Sequence, residues 1–308
     1  MATAYYWHDD CRRHVTPQGH PERVARLGAV ADALQGLALD RRAAPVGEIA
    51  DIARVHPQRY IDTIRAAIPE TGSCALDGDT HVSPGSWDAA LRAVGGICAA
   101  VDAVLGGAVR NAFVGCRPPG HHAETERAMG FCLFGNVSIA AKNALDHHGL
   151  ARVAIVDFDV HHGNGTQDLL WDEPRAFFAS SHQMPLYPGT GAPSQTGGHG
   201  NVLNVPLGPN SGSRAMRAAY ERTILPAVES FDPDLILISA GFDAHERDPL
   251  AQLNWTTEDF AWVTGAICDV ADRVCGGKVV STLEGGYDLE GLRDGVAAHV
   301  KVLMEHGA

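Results

Sequence analysis

The sequence alternates between short runs of β-branched and apolar residues and longer segments with helical signals, and this alternation constrains its fold most strongly. Strands are predicted at 112–116, 152–159, 176–180, 202–205, 235–240 and 278–283. Helices are predicted at 21–39, 57–68, 86–105, 137–147, 213–231, 257–274 and 289–306. Continuous apolar strands separated by helices are typical of a parallel sheet. The predicted fold class is therefore α/β, with a parallel β-sheet and helices on both of its faces.

The chain is long enough for one large α/β domain, at 308 residues. It contains no internal repeat, low-complexity tract or linker, so we predict a single domain over residues 1–308. Residues 182–200 form the longest stretch rich in Pro and Gly. This stretch is too long for a plain connector, and we predict that it forms a functional loop at the rim of the sheet.

Composition and charge exclude several classes of protein. A content of 45% apolar and 20% charged residues is ordinary for a globular protein and excludes a disordered or fibrous chain. The net charge of −13 disfavours direct binding to nucleic acid. No apolar run approaches the roughly 18 residues of a membrane span, and residues 1–10 lack the features of a secretory signal. We therefore expect a cytoplasmic protein with neither a membrane nor a nucleic acid as its direct partner.

The seven cysteines are scattered singly, without a CxxC pair. This pattern argues against a disulfide framework or a thiolate zinc knuckle. The 16 histidines are the more unusual count, since several of them lie beside Asp and Gly in short clusters.

Polar residues follow three of the predicted strands at their carboxyl ends, where ligands bind in open α/β sheets. RVAIVDFD is followed by VHHGNG, LILISA by GFDAHERDP, and KVVSTLE by GGYD. These strands therefore bring aspartate, histidine and tyrosine to one edge of the sheet.

Asp157, Asp159 and His161 are spaced i, i+2 and i+4, which places their side chains on one face of an extended strand end. Asp243, after LILISAGF, offers a further carboxylate. Two carboxylates and one imidazole can hold a divalent ion and leave a position open for water, as catalytic zinc sites require. A polar loop that caps the sheet is the alternative interpretation, and the presence of GFDAHERDP and RPPGHHAE elsewhere in the chain weighs against it.

His121 and His122 follow a Pro–Pro–Gly turn, which places them in a loop at the end of a strand. A neutral imidazole beside the water of a metal site is a good general base, because its ordinary pKa is close to physiological pH. Asp157 and Asn164 are available to fix the tautomer of such a histidine. The alternative is a pair of structural histidines that support the loop.

Tyr287 lies in the glycine-containing segment EGGYD. Its phenol stays protonated at neutral pH, since the ordinary pKa is about 10. It could therefore donate a hydrogen bond to a developing oxyanion. A turn with a packed aromatic side chain is the alternative.

Seven segments together resemble the histone deacetylase family of the arginase/deacetylase superfamily. They are HPER (20–23), RPPGHHA (117–123), GFC (130–132), DFDVHHGNG (157–165), PGTG (188–191), SAGFDAHERDP (239–249) and LEGGYD (283–288). They occur in the order of the family, and the last two are similar to its class II branch and the bacterial histone-deacetylase-like amidohydrolases. The resemblance implies the single-domain arginase/deacetylase fold.

The resemblance also implies residue roles. One zinc ion per chain would be held by three side chains: Asp159, His161 and Asp243. His122 would correspond to the general base and acid and be oriented by Asn164, where class I members usually carry aspartate. His121 would be its electrostatic partner and be oriented by Asp157. Tyr287 would correspond to the oxyanion donor.

Two further groups of residues match sites of the family. The residues that match the narrow acyl-lysine channel are Gly130, Phe131 and Tyr187. Those that match a structural potassium site are Asp157, Asp159, His161, Ser180 and Ser181.

The substrate prediction depends on Leu250, which matches a substrate-channel position of the family and follows Asp248–Pro249. Polyamine deacetylases of the family carry glutamate at this point. A neutral residue weakens recognition of a cation by roughly 1.5–3 kcal/mol, the value of one charge-assisted hydrogen bond. We therefore expect zinc-dependent hydrolysis of N-acetyl-lysine peptides or related acylated amines.

Three alternatives remain at this point. An acetylpolyamine amidohydrolase comes first among them, and an arginase-like ureohydrolase and a non-catalytic acyl-amine binding module rank below it. Assembly into a homo-oligomer is left open by the sequence.

Overall fold

A computed structural model describes residues 2–308 of the protein, and its main feature is an eight-stranded sheet with the strand order β2-β1-β5-β10-β9-β6-β7-β8. The sheet strands are β1 (Thr3–Trp7), β2 (Asp40–Ala43), β5 (Asn111–Val114), β6 (Val153–Asp157), β7 (Ala176–Gln183), β8 (Val202–Leu207), β9 (Leu235–Ala240) and β10 (Val279–Leu283). Every neighbouring pair in this sheet is parallel. A separate antiparallel hairpin is formed by β3 (Cys74–Ala75) and β4 (His81–Val82).

Helices lie in most of the crossover connections that parallel strands need, whereas a loop without a helix joins β7 to β8. The helices are α1 (Ala25–Ala33), α2 (Ile49–Ile52), α3 (Gln58–Ala66), α4 (Ser86–Leu105), α5 (Asn136–Lys142), α6 (Asn164–Leu169), α7 (Ser213–Ala219), α8 (Leu225–Phe231), α9 (Thr257–Cys275) and α10 (Leu289–Gly307). A 3₁₀ turn spans Asp9–Arg13, and π-helical turns span Asn143–His147 and Tyr220–Ile224. None of the helices in residues 2–308 is both long and apolar enough to cross a bilayer.

The central strands are buried on both faces, and successive residues contribute to different hydrophobic cores. In β9, Leu235 and Leu237 belong to one core, whereas Ile236 and Ile238 belong to the other. This alternation follows from the two-residue period of a strand. The two cores lie on opposite faces of the sheet, which confirms the predicted parallel sheet with helices on both faces.

Strand β6 is shorter than predicted, and the difference matters for the site. The prediction continued the strand to residue 159, but the ladder ends at Asp157. The Asp157 Oδ1 atom accepts the N–H of Asp159 at 3.0 Å, and this local hydrogen bond turns the chain out of the sheet. Asp157 therefore ends the strand, and Asp159 and His161 lie in the bend that follows it, so the predicted placement of all three on one face of an extended strand end is wrong.

Several other elements also differ from prediction, among them helices α2 and α6 and the β3–β4 hairpin, which were not predicted. The helix predicted over residues 21–39 is observed only as α1, because residues preceding it form an irregular segment in which Glu22 pairs with Arg117 and Arg26. Strands β1 and β2, at one end of the sheet, were not predicted either. β2 has the sequence DRRA and is not fully buried, so it carries no apolar run to signal a strand.

Candidate active site

Three side chains from two neighbouring strand ends converge beyond the sheet. Asp159 and His161 follow β6, and Asp243 follows β9. The His161 Nδ1 atom lies 3.2 Å from Asp159 Oδ1 and 3.1 Å from Asp243 Oδ2. All three side chains are buried, and one ligand atom of each lies within 4.8 Å of the others. The structure thus brings together the three predicted zinc ligands.

The donor set fits a zinc ion. Ligand atoms at the usual zinc distance of about 2.0 Å are about 3.3 Å apart in a tetrahedral site, close to the two observed separations. Backbone N–H groups approach the outer sides of both carboxylates, from Val160 to Asp243 at 2.9 Å and from Gly285 to Asp159 at 2.8 Å. A metal ion at the shared centre would compensate the two buried carboxylates.

Two glycines leave room for these carboxylates. A Cβ atom at Gly241 would clash with the Asp159 carboxylate, and one at Gly285 would clash with that of Asp243. Burial and the charge of Asp159 raise the pKa of Asp243 above its ordinary value. The glycines of the segments GFD and EGG therefore allow the backbone to approach the carboxylates of the predicted metal ligands closely.

His121 and His122 lie beside this triad, on the loop that follows β5. The His121 Nδ1 atom lies 2.9 Å from Asp157 Oδ2, and the centroids of the two imidazole rings are 4.0 Å apart. Burial opposes protonation of His121, but the carboxylates of Asp159 and Asp157 outweigh it and raise its pKa well above the ordinary value. His122 shows the opposite shift, since burial and the charges of His121 and His161 lower its pKa well below the ordinary value.

The tautomer of His122 follows from its hydrogen bonds. Its Nδ1 atom lies 2.7 Å from Asn164 Oδ1, while Asn164 Nδ2 donates to Glu124 Oε1 at 2.7 Å. Because a carboxylate only accepts, the Asn164 amide nitrogen faces Glu124 and its oxygen faces the imidazole. His122 Nδ1 therefore carries the hydrogen, and Nε2 of the neutral ring is the free acceptor.

Tyr287 lies on the loop after β10, with its backbone N–H donating to Asp248 Oδ2 at 2.7 Å. The guanidinium of Arg26 lies 5.1 Å from the tyrosine ring centroid, and Arg26 Nε donates to Gly286 O at 2.7 Å. Burial and the charge of Asp243 raise the pKa of Tyr287 well above its ordinary value. Its phenol is therefore protonated and able to donate a hydrogen bond.

Comparison with known proteins settles the family. The profile described as "Histone deacetylase domain" matches residues 20–303. The chain belongs to the histone deacetylase family. It is 44% identical over 303 residues to "Histone deacetylase 10, chloroplastic" of Oryza sativa subsp. japonica, an alignment that covers 91% of this chain and 68% of the rice protein.

Two further comparisons agree with this assignment. The "Histone deacetylase-like amidohydrolase" of Pseudomonas aeruginosa is 41% identical over 273 residues, covering 87% of this chain and 71% of that protein. The crystal structure of the HDA15 HD domain is similar with a TM-score of 0.92 and 33% identity, covering 98% of this chain and 90% of the other. This deacetylase-family chain therefore has the predicted arginase/deacetylase fold.

The cavity of this histone deacetylase-family chain has a volume of about 350 Å³ and leads from the surface to His161, one of the predicted zinc ligands. His122, His161 and Tyr287 line its inner part, and all the predicted channel residues line it as well: Gly130, Phe131, Tyr187 and Leu250. The conformation at Gly130 is left-handed, with φ +54°, and a Cβ atom there would clash with the His122 ring. Tyr187 and Leu186 come from the loop predicted to form the rim, and they confirm its position.

Sequence reasoning missed the residues at the mouth of the cavity. Gly78 and Asp79 reach it from the β3–β4 hairpin, and His20 holds that hairpin by a 2.8 Å contact between its Nε2 atom and Asp79 O. The HPER segment signalled that residues 20–23 matter, but the hairpin is too short to leave an apolar pattern. The hydrogen bonds by which Asp248 and Arg26 hold the backbone at Tyr287 and Gly286 were also missed, because both side chains act on backbone atoms.

The residues matched to a potassium site lie near one another, since Asp157 and Ser180 are paired across β6 and β7. The Ser180 hydroxyl lies 2.9 Å from His182 Nδ1, and the Ser181 hydroxyl lies 2.9 Å from the Tyr220 hydroxyl. Potassium binding by this chain stays a prediction.

Proposed function

We propose that this chain is a zinc-dependent deacetylase that hydrolyses the amide of N-acetyl-lysine or a related acylated amine to the free amine and acetate. The observation that carries the proposal is that His122, His161 and Tyr287 line one cavity. A general base, a metal ligand and a protonated phenol thus face the same space. Family membership supports an amide-hydrolysing enzyme.

Asp159, His161 and Asp243 would hold the zinc ion. When bound, zinc would supply a Lewis acid that polarises the substrate carbonyl and makes water more acidic. The two carboxylates and the neutral imidazole are the ligand types of catalytic zinc sites. Their close contact supports this assignment.

His122 would move the proton. Its neutral ring presents Nε2 as an acceptor, because Nδ1–H is held by Asn164. Nε2 would take a proton from water as the water attacks the acetyl carbonyl, and it would then give that proton to the departing amine. The low pKa of His122 favours the neutral form that the first step needs.

Tyr287 would stabilise the oxyanion that develops on the carbonyl oxygen. Its phenol is protonated, and its backbone is fixed by Asp248, so the donor is already in place before the reaction. Phe131 packs edge-on against Tyr287 with centroids 5.7 Å apart. This apolar wall excludes water from the side of the cavity that would hold the aliphatic stem of the substrate.

Leu250 supports acyl-lysine over acetylpolyamine as substrate. It lines the cavity, where its neutral side chain offers no partner to a second cationic nitrogen. Asp79, at the mouth of the cavity, favours an acetylpolyamine as substrate, because its carboxyl group would attract a cationic polyamine. The acetylpolyamine amidohydrolase therefore stays the second candidate.

Parallel assays would separate these candidates. Purified protein is offered an N-acetyl-lysine peptide or N-acetylputrescine, with and without a chelator, and released acetate is measured. The proposal predicts chelator-sensitive acetate release with a higher kcat/KM for the peptide. Faster turnover of N-acetylputrescine would favour the alternative, and no acetate from either substrate would refute a deacetylase.

We also propose that a potassium ion binds to oxygen atoms of the residues matched to that site. They are Asp157, Asp159, His161, Ser180 and Ser181. The pairing of β6 with β7 supports this proposal, because it brings Asp157 beside Ser180. Dependence of the thermal midpoint on potassium rather than on equal sodium would test it.

A further inference from the structure

Glu284, the residue after β10, has a fully buried side chain that connects the ends of three neighbouring strands. Its Oε2 atom accepts the N–H groups of Gly120 at 2.7 Å and His121 at 3.1 Å. Its Oε1 atom accepts the hydroxyl of Ser239 at 3.2 Å. Because β10 lies between β5 and β9 in the sheet, one carboxyl group spans both neighbours.

Glu284 accepts the first backbone N–H groups of the loop that carries the histidine pair. Pro118 and Pro119 have no N–H, so Gly120 and His121 carry the first two backbone donors after Arg117. Both of these donors are used by Glu284. Without an acceptor, two buried N–H groups would remain unpaired in the loop that carries the histidine pair.

The loop is also closely packed on its other side. A Cβ atom at Gly120 would lie 2.6 Å from Asn136 N and 2.8 Å from Phe134 O. Asn136 Nδ2 in turn donates to Pro118 O at 3.2 Å. The backbone at Gly120 is therefore confined between the start of α5 and the Glu284 carboxyl group.

We propose that Glu284 is a positioning residue for the deacetylase reaction: by accepting the N–H groups of Gly120 and His121, it sets the location of His122 relative to the metal ligands. This inference rests on the proposed function. Glu284 does not line the cavity and acts through the loop backbone, so its oxygen atoms, rather than its charge, perform the role.

Two conservative substitutions separate the effect of the side-chain length of Glu284 from the effect of its charge. In Glu284→Gln, the amide oxygen can still accept both N–H groups while its NH₂ group donates to the Ser239 hydroxyl. In Glu284→Asp, the charge remains, but the carboxyl group retreats by about 1.5 Å, the length of one C–C bond, which takes it out of hydrogen-bond range. The matched controls are Glu305→Gln and Glu305→Asp, at an exposed glutamate of α10.

The experiment measures kcat, KM and zinc content, together with hydrogen–deuterium exchange of the amides in residues 117–123. For Glu284→Asp we expect faster exchange and a kcat lower by about 10- to 100-fold, since a displacement near 1 Å costs about that much, with KM and zinc content little changed. For Glu284→Gln and both controls we expect values close to those of the unmodified protein.

Three results would overturn the proposal. They are full activity of Glu284→Asp, slow exchange of its loop amides, or a loss of kcat in Glu284→Gln as large as that in Glu284→Asp. If the unmodified protein itself released no acetate, the proposed function would fail. The exchange rates of the two variants would still decide whether Glu284 holds the loop.

Discussion

The Nδ1 atom of His122 and the Oδ1 atom of Asn164 are 2.7 Å apart, and this contact fixes which nitrogen of the imidazole can act as a base. Asn164 is itself oriented by Glu124, whose carboxylate accepts from the amide nitrogen. A neutral partner orients His122 without adding a negative charge next to it. The low pKa of His122 is consistent with this arrangement.

Asn164→Asp should shift the pH profile of the enzyme. A carboxylate next to His122 favours its protonated form and raises its pKa. Since the neutral form is the base, the acid limb of kcat/KM should move to higher pH. Asn210→Asp, which adds the same charge at an exposed turn, is the control and should leave the profile unchanged. An unmoved acid limb in Asn164→Asp would contradict the assignment of His122 as the base.

Tyr287→Phe should remove most of the turnover. Loss of one oxyanion donor typically lowers kcat by about 10²–10³. Zinc content should stay the same, because the phenol is not one of the proposed ligands. Tyr6→Phe is the control, since the Tyr6 hydroxyl donates to Ala99 O away from the site. Undiminished acetate release by Tyr287→Phe would exclude Tyr287 from the mechanism.

Leu250→Glu should shift the substrate preference. A carboxylate at this position of the cavity can pair with the distal nitrogen of an N-acetylpolyamine, and one charge-assisted hydrogen bond is worth about 1.5–3 kcal/mol, or about 10- to 150-fold in kcat/KM. The ratio of kcat/KM for N-acetylputrescine to that for the peptide should rise accordingly. Leu250→Gln, which adds polarity without charge, should change the ratio much less. An equal ratio in both variants would show that charge at residue 250 does not select the substrate.

The central part of the fold could be predicted because its strands are buried on both faces. A run such as LILISA in β9 has an apolar residue at nearly every position, and this signal does not depend on the rest of the chain. β2 has no such signal, since it lies at the edge of the sheet and is held by backbone pairing with β1. The end of β6 was misjudged because the hydrogen bond from Asp159 N to the Asp157 carboxylate competes with the ladder.

The residues of the candidate site could be located because they lie in short motifs at strand ends. The residues that support them were not located. Glu284 contacts Gly120 across 164 positions of sequence, and Arg26 contacts Gly286 across 260. Such contacts depend on how the strands are ordered in the sheet, and no local pattern around either residue predicts them. Cytoplasmic location stays a prediction, and assembly into a homo-oligomer stays open.

Metal analysis of the purified protein tests the central claim most directly. Asp159, His161 and Asp243 should hold one zinc ion per chain, and Asp243→Asn should lose most of it, because a carboxylate ligand is replaced by a neutral amide. Asp269→Asn is the control, since Asp269 lies in a more exposed group with Asp272 and His306 and should leave the zinc content unchanged. Stoichiometric zinc in the unmodified protein and in Asp269→Asn, with loss in Asp243→Asn, is the predicted result. Equal zinc content in all three proteins, or no zinc in any, would contradict the account.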